Sequence, residues 1–390
     1  MIYSRHALWG HARLDSNPGS MDGESDRPAR ISSSLQKEVR MVLTREELLN
    51  RISLLPRIRL RPEPTPLEFA PRLSDFLGGL RVWLKRDDHP CTALGGNKLR
   101  KLEFFLGEAL AKGADAVVTM GAVQSNHVQV TAAACARLGL SCHALLLGER
   151  PEQERGNLFL DRLFHANLEF LSASLHDAAP GVVDERLRGI SSELELRGRD
   201  PFIVPAGGSG PLGDVAYTRA FVELEQQAEE QGLHPDILVA PVGSMGTFSG
   251  LLLGKSLLES PIHIVGVATS PAEACRRAGL PPLLDMVAGA GELLRISDAR
   301  PPEPPEIHYS YIGPGYGVPS RSSLEAVRTL ARLEGVLLDP IYTGKVMAGL
   351  LDLASKGRFH GSRDIIFLHT GGVNELLVHP EWLRGPFPSS

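Results

Sequence analysis

From Asp115 to His369 the chain alternates short β-rich runs with longer amphipathic stretches, and no other feature constrains its fold as much. Runs at 116–119, 143–147, 167–171, 202–204, 236–242, 263–268, 336–339 and 364–369 read as strands. Stretches at 126–138, 157–165, 183–196, 214–231, 247–258, 323–334 and 345–355 read as helices. Strands this apolar belong in a mostly parallel sheet, because each crossover lays a helix over a sheet face. The predicted class is therefore α/β. Such folds bind ligands outside the carboxyl ends of their strands, where the loops leading into helices gather.

The 390 residues, 43% hydrophobic and 22% charged, suffice for two domains with real cores. A formal net charge of -5 provides no basic field, so nucleic acid is not an expected partner. No apolar run approaches the length of about 18 residues that a membrane helix needs, so no membrane partner is expected either. The four cysteines, Cys91, Cys135, Cys142 and Cys275, form no Cys-x-x-Cys pair and no cluster with zinc spacing, and no metal is expected. Scattered thiols suit a reducing compartment, here the cytoplasm. Residues 1–40 lack apolar periodicity and the apolar core of a secretory signal, and read as a disordered leader. Thr44, with Glu47 three residues on, is a helix start with a capping box.

Three Gly-rich loops fall at expected strand-to-helix junctions. In 95–103, two glycines precede a helix that starts near Asn97 and puts Lys98 in its first turn. The positive helix end disfavours a charged amine there, which suits a lysine acting as a nucleophile. A solvated basic helix start would read the same way. In 121–127, Ser125, Asn126 and His127 open a helix whose N–H groups would accept a carboxylate, or Ser125 or Asn126 is a plain N-cap. In 243–250, Gly243, Ser244, Met245, Gly246 and Thr247 offer backbone N–H groups and hydroxyls suited to a phosphate, or form a simple Gly-rich turn. Two further motifs carry less weight. Residues 208–213 match Gly-x-Gly-x-x-Gly but lack a clear acid about 20 residues on. Residues 250–256 resemble a phosphate loop but are one residue short and lie within an apolar helical run.

Taken together, the segments resemble the fold type II (tryptophan synthase β-like) pyridoxal 5'-phosphate (PLP) enzymes, in the branch of D-cysteine desulfhydrase and 1-aminocyclopropane-1-carboxylate (ACC) deaminase. The resemblance runs from about Leu55 to Gly372 and is carried by 64–68, 85–88, 95–103, 124–127, 207–209, 313–317, 339–345 and 369–372. It implies a two-domain fold, with 41–100 plus 211–390 as a large domain and 101–210 as a small α/β domain, the site between them, and a homodimer. The chain departs from the family's usual pattern in two places: Pro90, Cys91 and Thr92 stand before Leu94, and Met245 replaces a residue that is usually small.

The same resemblance implies the roles. PLP is the cofactor and Lys98 its Schiff-base lysine, which also moves the proton at the substrate Cα. Lys101 lies near the phosphate, and Gly243, Ser244, Met245, Gly246 and Thr247 hold it. Asn126 bonds the ring hydroxyl and Thr370 comes near the pyridine nitrogen. Ser125, Asn126 and His127 take the substrate carboxylate, and Tyr316, Tyr342 and Thr343 face the substrate. The implied reaction is α,β-elimination on a small amino acid, first D-cysteine to pyruvate, hydrogen sulfide and ammonia. The alternatives are ACC deamination, elimination from L-cysteate or another β-substituted alanine, and, outside enzymes, a degenerate PLP-binding protein.

Overall fold

A computed structural model describes residues 41–89, 91–172, 181–271, 280–301 and 303–383. The expected leader, Pro90 and Cys275 lie outside the described residues. The described part opens with helix α1 (Arg45–Ser53), where the capping box forms: Thr44 N–H donates to Glu47 Oε2 at 2.8 Å, and Glu47 N–H donates to Thr44 Oγ1 at 3.2 Å. Next come β1 (Leu67–Phe69), α2 (Pro71–Phe76), β2 (Arg81–Arg86) and α3 (Lys98–Ala111). The middle of the chain is regular: β3 (Ala116–Ala122), α4 (Asn126–Leu138), β4 (Ser141–Leu147), α5 (Gly156–Leu163), β5 (Asn167–Leu171), α6 (Val182–Leu196) and β6 (Pro201–Ile203). The remainder comprises α7 (Pro211–Glu230), β7 (Pro235–Val242), α8 (Gly246–Leu257), β8 (His263–Ala268), α9 (Leu283–Leu293), β9 (Glu306–His308), α10 (Arg321–Glu334), α11 (Thr343–Ser355), β10 (Asp364–His369) and α12 (Asn374–Val378).

These strands make two sheets. Six of them lie in the order β1-β2-β10-β7-β8-β9, parallel except where β1 pairs antiparallel with β2. The other four lie in the order β5-β4-β3-β6, all parallel. Residues of β3, β7 and β10 are buried on both faces, which is why they read as continuous apolar runs rather than as alternation. Helices α7 and α8 pack on one another across glycines: a methyl on Gly250 would lie 2.2 Å from the Asp214 carbonyl oxygen, and one on Gly254 would meet the Phe221 side chain. The phosphate-loop look-alike at 250–256 is therefore the interior of α8.

One predicted strand does not form. Residues 336–339 pair with no sheet, because the segment ends in a turn organised by the Asp339 side chain. Six elements were not anticipated: β1, α2, β2, α9, β9 and α12.

Candidate active site

The carboxyl ends of β2, β3, β7 and β10 deliver four loops to one cavity. Its lining includes Gly96, Asn97 and Lys98 from the β2–α3 loop, Ser125, Asn126 and His127 from β3–α4, Gly243, Ser244, Met245 and Thr247 from β7–α8, and Thr370, Gly371 and Gly372 after β10. Tyr316 and Tyr342 also line it. The loops are pinned to each other: Asn97 N–H donates to the Thr370 carbonyl at 3.1 Å, and the Asn97 side chain donates through Nδ2 to Thr247 Oγ1 at 3.0 Å. Gly371 has φ +86°, and a methyl there would lie 2.9 Å from the Gly96 Cα, so the two loops touch only because both residues are glycine.

Lys98 begins α3, and burial lowers its amine from 10.5 to about 8. A methyl on Gly207, at φ +64°, would lie 2.8 Å from Ser244 Oγ and 3.6 Å from Lys98 Nζ. A residue without a side chain thus leaves the space beside the amine open. Lys101, one turn along α3, does not line the cavity. It is fully buried behind the β7–α8 loop, with Nζ donating to Ser209 Oγ at 3.4 Å. Ser209 Oγ in turn donates to Ser244 Oγ at 2.6 Å, which connects Lys101 to the loop through two hydroxyls. Burial, with Lys98 nearby, pushes the Lys101 amine well below its ordinary value.

The anion-binding features are present at both helix starts. Ser125 is the N-cap of α4, its Oγ accepting from Val128 N–H at 3.3 Å. Gly246 begins α8 and is not itself in the lining; a methyl on it would lie 2.8 Å from Asp214 Oδ1 and 2.9 Å from Lys101 Nζ. Met245 takes φ +65° at the N-cap position of α8, a conformation that disfavours a side chain.

His127 is buried, and its Nε2 lies 2.9 Å from Thr119 Oγ1, whose own proton goes to the Val204 carbonyl at 2.9 Å. Nε2 is therefore the protonated nitrogen. Nδ1 is an acceptor without a hydrogen-bond partner among the described residues. Burial, with Lys98 and Lys101 adding to it, holds the ring neutral by lowering its pKa well below 6.5.

Asn126 is oriented by a chain that sequence reading missed. Its Oδ1 accepts from Asn157 Nδ2 at 2.8 Å, and Asn157 Oδ1 accepts from Asn374 Nδ2. Asn157 also donates Nδ2 to the Gln124 carbonyl at 2.8 Å. With Oδ1 engaged, the Nδ2 of Asn126 remains as the donor toward the cavity; a methyl on Gly372 would lie 3.0 Å from it. Nothing in the sequence links Asn157 to Asn126 or Asn374; only the meeting of α5 with α12 does.

Thr343 was expected to face the substrate and does not. It is fully buried outside the lining, and its Oγ1 donates to Asp339 Oδ1 at 2.7 Å. Asp339 also accepts from the N–H groups of Ile341, Tyr342 and Thr343 at 2.9, 2.6 and 2.7 Å. This carboxyl caps the start of α11, and the threonine serves it. On the same helix start the Tyr342 hydroxyl stands 2.8 Å from that of Tyr316, with the rings edge to face. Burial first, then the Tyr316 neighbour, holds the Tyr342 phenol well above its ordinary value, so it stays protonated. Thr370 is in the lining.

The residues fit PLP. Two helix N-termini can bind its phosphate and a substrate carboxylate, glycines at 96, 207 and 372 leave flat space, and a partly neutral lysine stands between. Residues 58–371 match the model of the pyridoxal-phosphate dependent enzymes. The chain belongs to that family. The enzyme is 43% identical over 338 residues to a D-cysteine desulfhydrase of Salmonella schwarzengrund, covering 85% of this chain and 99% of the relative. The desulfhydrase of Salmonella newport matches to the same extent. Among solved structures, an ACC deaminase homologue superposes with TM-score 0.77 at 35% identity, covering 86% of this chain and 98% of the other. A fungal L-serine ammonia-lyase from Rhizomucor miehei shares the fold at TM-score 0.56 and 20% identity, covering 82% and 97%. The two-sheet α/β fold is that of fold type II, and the cofactor is PLP.

Proposed function

We propose that the enzyme is a lyase that eliminates sulfide from D-cysteine, yielding hydrogen sulfide, pyruvate and ammonia. The observation that carries this reading is one cavity lined by a burial-shifted amine, Lys98, and a hydrogen-bonded pair of phenols, Tyr316 and Tyr342. An α,β-elimination needs both a base at Cα and a proton donor for the leaving group. The D-cysteine desulfhydrase relatives supply the substrate.

In this reading Ser125 and the first N–H groups of α4 hold the substrate carboxylate, and Lys98 takes the proton from Cα. Bound PLP would supply the electron sink for the charge left on Cα. As the Cβ–S bond breaks with the electron pair leaving on sulfur, the Tyr316–Tyr342 pair donates a proton to the departing thiolate. The released enamine takes up water to give pyruvate and ammonia. Gly243, Ser244, Met245, Gly246 and Thr247 hold the phosphate with Lys101 behind them, Asn126 bonds the ring hydroxyl, and Thr370 hydrogen-bonds the ring nitrogen. The neutral His127 Nδ1 accepts from the substrate or the cofactor.

We also propose that the chain divides into 41–100 plus 211–390 and 101–210, and works in the cytoplasm as a homodimer. The separation of the two sheets supports the division, and light scattering of the purified enzyme tests the dimer. Purified enzyme given D-cysteine should release sulfide and pyruvate in equal amounts and leave L-cysteine largely untouched. The structural likeness to an ACC deaminase homologue favours a second reading, in which 2-oxobutyrate is formed from ACC. Turnover of L-cysteate alone would point to another β-substituted substrate, and no turnover of any β-substituted alanine would leave a binding protein.

A further inference from the structure

The loop joining β9 to α10 carries Tyr316 and is rich in glycine. Gly313, Gly315 and Gly317 alternate along it, with φ +71° at Gly313 and +72° at Gly317, and Gly313, Pro314, Gly317 and Val318 are exposed. Such a segment gains little stability from its own packing. Opposite it, in the first turn of α11, Lys345 is fully buried. Burying an ammonium costs free energy unless it is paired. Its Nζ donates not to a carboxylate but to the carbonyl oxygen of Gly315, at 2.9 Å. The next loop residue, Tyr316, meets Tyr342 one turn earlier on the same helix start, at 2.8 Å between hydroxyls. Two consecutive loop residues are thus tied to two positions of α11 that are helical neighbours.

We propose that Lys345 is a latch that holds this loop against the cavity and so positions the Tyr316 hydroxyl for elimination, an assignment that rests on Tyr316 being part of the proton donor. The latch depends on charge. Burial lowers the Lys345 amine to about 8, with the Asp339 carboxyl opposing that shift. Asp339 in turn faces Tyr342 on α11, Glu375 on α12 and His369 on β10, and Tyr342 faces Tyr316 on the loop and Glu375. Below about pH 8 the bond to Gly315 is charge-assisted. As pH rises through 8 the proton is lost, the bond becomes an ordinary neutral one, and the loop loosens.

Chymotrypsin cutting between Tyr316 and Gly317, followed by mass spectrometry on the cofactor-loaded enzyme, reads the latch without reference to turnover. Lys345→Met should be cut on the order of tenfold faster than wild type at pH 7. Lys345→Gln, a neutral donor, should be intermediate, with a cutting rate relative to an unrelated control peptide that stays flat from pH 7 to 9. The wild-type ratio should rise across about pH 8. Turnover should follow, with kcat falling in Lys345→Met more than KM changes and partly restored in Lys345→Gln. Equal cutting of wild type and Lys345→Met, or a wild-type ratio flat through pH 8, overturns the latch. Faster cutting with unchanged kcat supports the latch and overturns the role given to Tyr316. Should Lys345→Met fail to fold, the wild-type pH series and Lys345→Gln decide the matter.

Discussion

At the scale of single residues, Lys98 owes its lowered pKa to burial alone, with no neighbouring charge contributing. An amine prepared in this way is a nucleophile near neutral pH. Borohydride reduction of the cofactor-loaded enzyme should therefore fix the label on the peptide that contains Lys98. Label on Lys85, Lys101, Lys112, Lys255 or Lys345 would falsify the assignment. Lys98→Ala removes the covalent anchor and the base together, and a positioned base is by itself worth about 10²–10⁴-fold, so turnover should fall by at least that much. Ser125→Ala tests a different claim. Its hydroxyl caps α4 through Val128 N–H, so the variant should lose about 1 kcal/mol of stability along with substrate affinity. PLP content, followed by absorbance, should stay near wild type, because the proposed role is toward the substrate carboxylate. Lys98, Ser125 and Asn126 were legible in the sequence because Gly-rich strand-to-helix junctions have a local signature. Asn157, Asn374 and Asp339 were not, because what they do depends on contacts between distant segments.

At the scale of elements, α3 must be held still if Lys98 is to stay aimed, and a buried ion network does this. Arg100 Nη2 donates to Asp87 Oδ1 and to Glu223 Oε1, both at 2.7 Å, Lys85 Nζ reaches Glu223 Oε1 at 2.6 Å, and Tyr217 donates to Asp87 Oδ2 at 2.5 Å. The network bolts α3 to β2 and α7. It also explains why Thr65, Lys85 and Asp87 contribute to the family resemblance without lining the cavity. Burial alone would raise the Asp87 carboxyl, but Arg100 beside it holds it below its ordinary value. A carboxylate depressed in the folded state contributes stability above its unfolded pKa, about 3.9, and that contribution is lost as pH falls through the folded value, so the network should weaken only in acid. Asp87→Ala leaves Arg100 buried with one partner fewer and should cost about 3–5 kcal/mol in urea unfolding at pH 7. A loss under about 1 kcal/mol, the scale of an exposed pair, would show that the network does not anchor α3. The elements that escaped sequence reading have an equally physical cause: β1 and β9 have three residues each, too short for any period to show.

At the scale of the whole molecule, the open choice is between desulfhydration and cyclopropane opening. The resemblance places Thr343 and Thr370 where ACC deaminases typically carry Glu and Leu, which suggests that neutral hydroxyls face the ring nitrogen here. The structure changes half of that argument. Thr370 lines the cavity, but Thr343 is turned away and bonded to Asp339. Asp339 itself is fully buried behind Gly372, where a methyl would lie 3.2 Å from its Oδ1, and four donors within its own turn occupy it. Among the described residues no carboxylate lines the cavity, so bound PLP would find none there to hold its ring nitrogen protonated and would supply a more moderate electron sink. A thiolate leaves readily and tolerates such a sink, whereas a strained but unactivated ring carbon demands a stronger one. The enzyme should release sulfide from D-cysteine and give little or no 2-oxobutyrate from ACC. With both threonines facing the ring, Thr343→Glu combined with Thr370→Leu would move activity toward ACC; with Thr343 turned toward Asp339 it should not. A glutamate at 343 would enter a buried site already filled by the Asp339 carboxyl, where two like charges in low dielectric repel strongly. The double variant should lose thermal stability and sulfide release without gaining ACC deamination. Keto acid assays on both substrates, with melting curves on both proteins, decide it. A stable double variant that deaminates ACC would place residue 343 at the ring after all, and wild-type deamination of ACC at a rate comparable with D-cysteine turnover would overturn desulfhydration as the main activity.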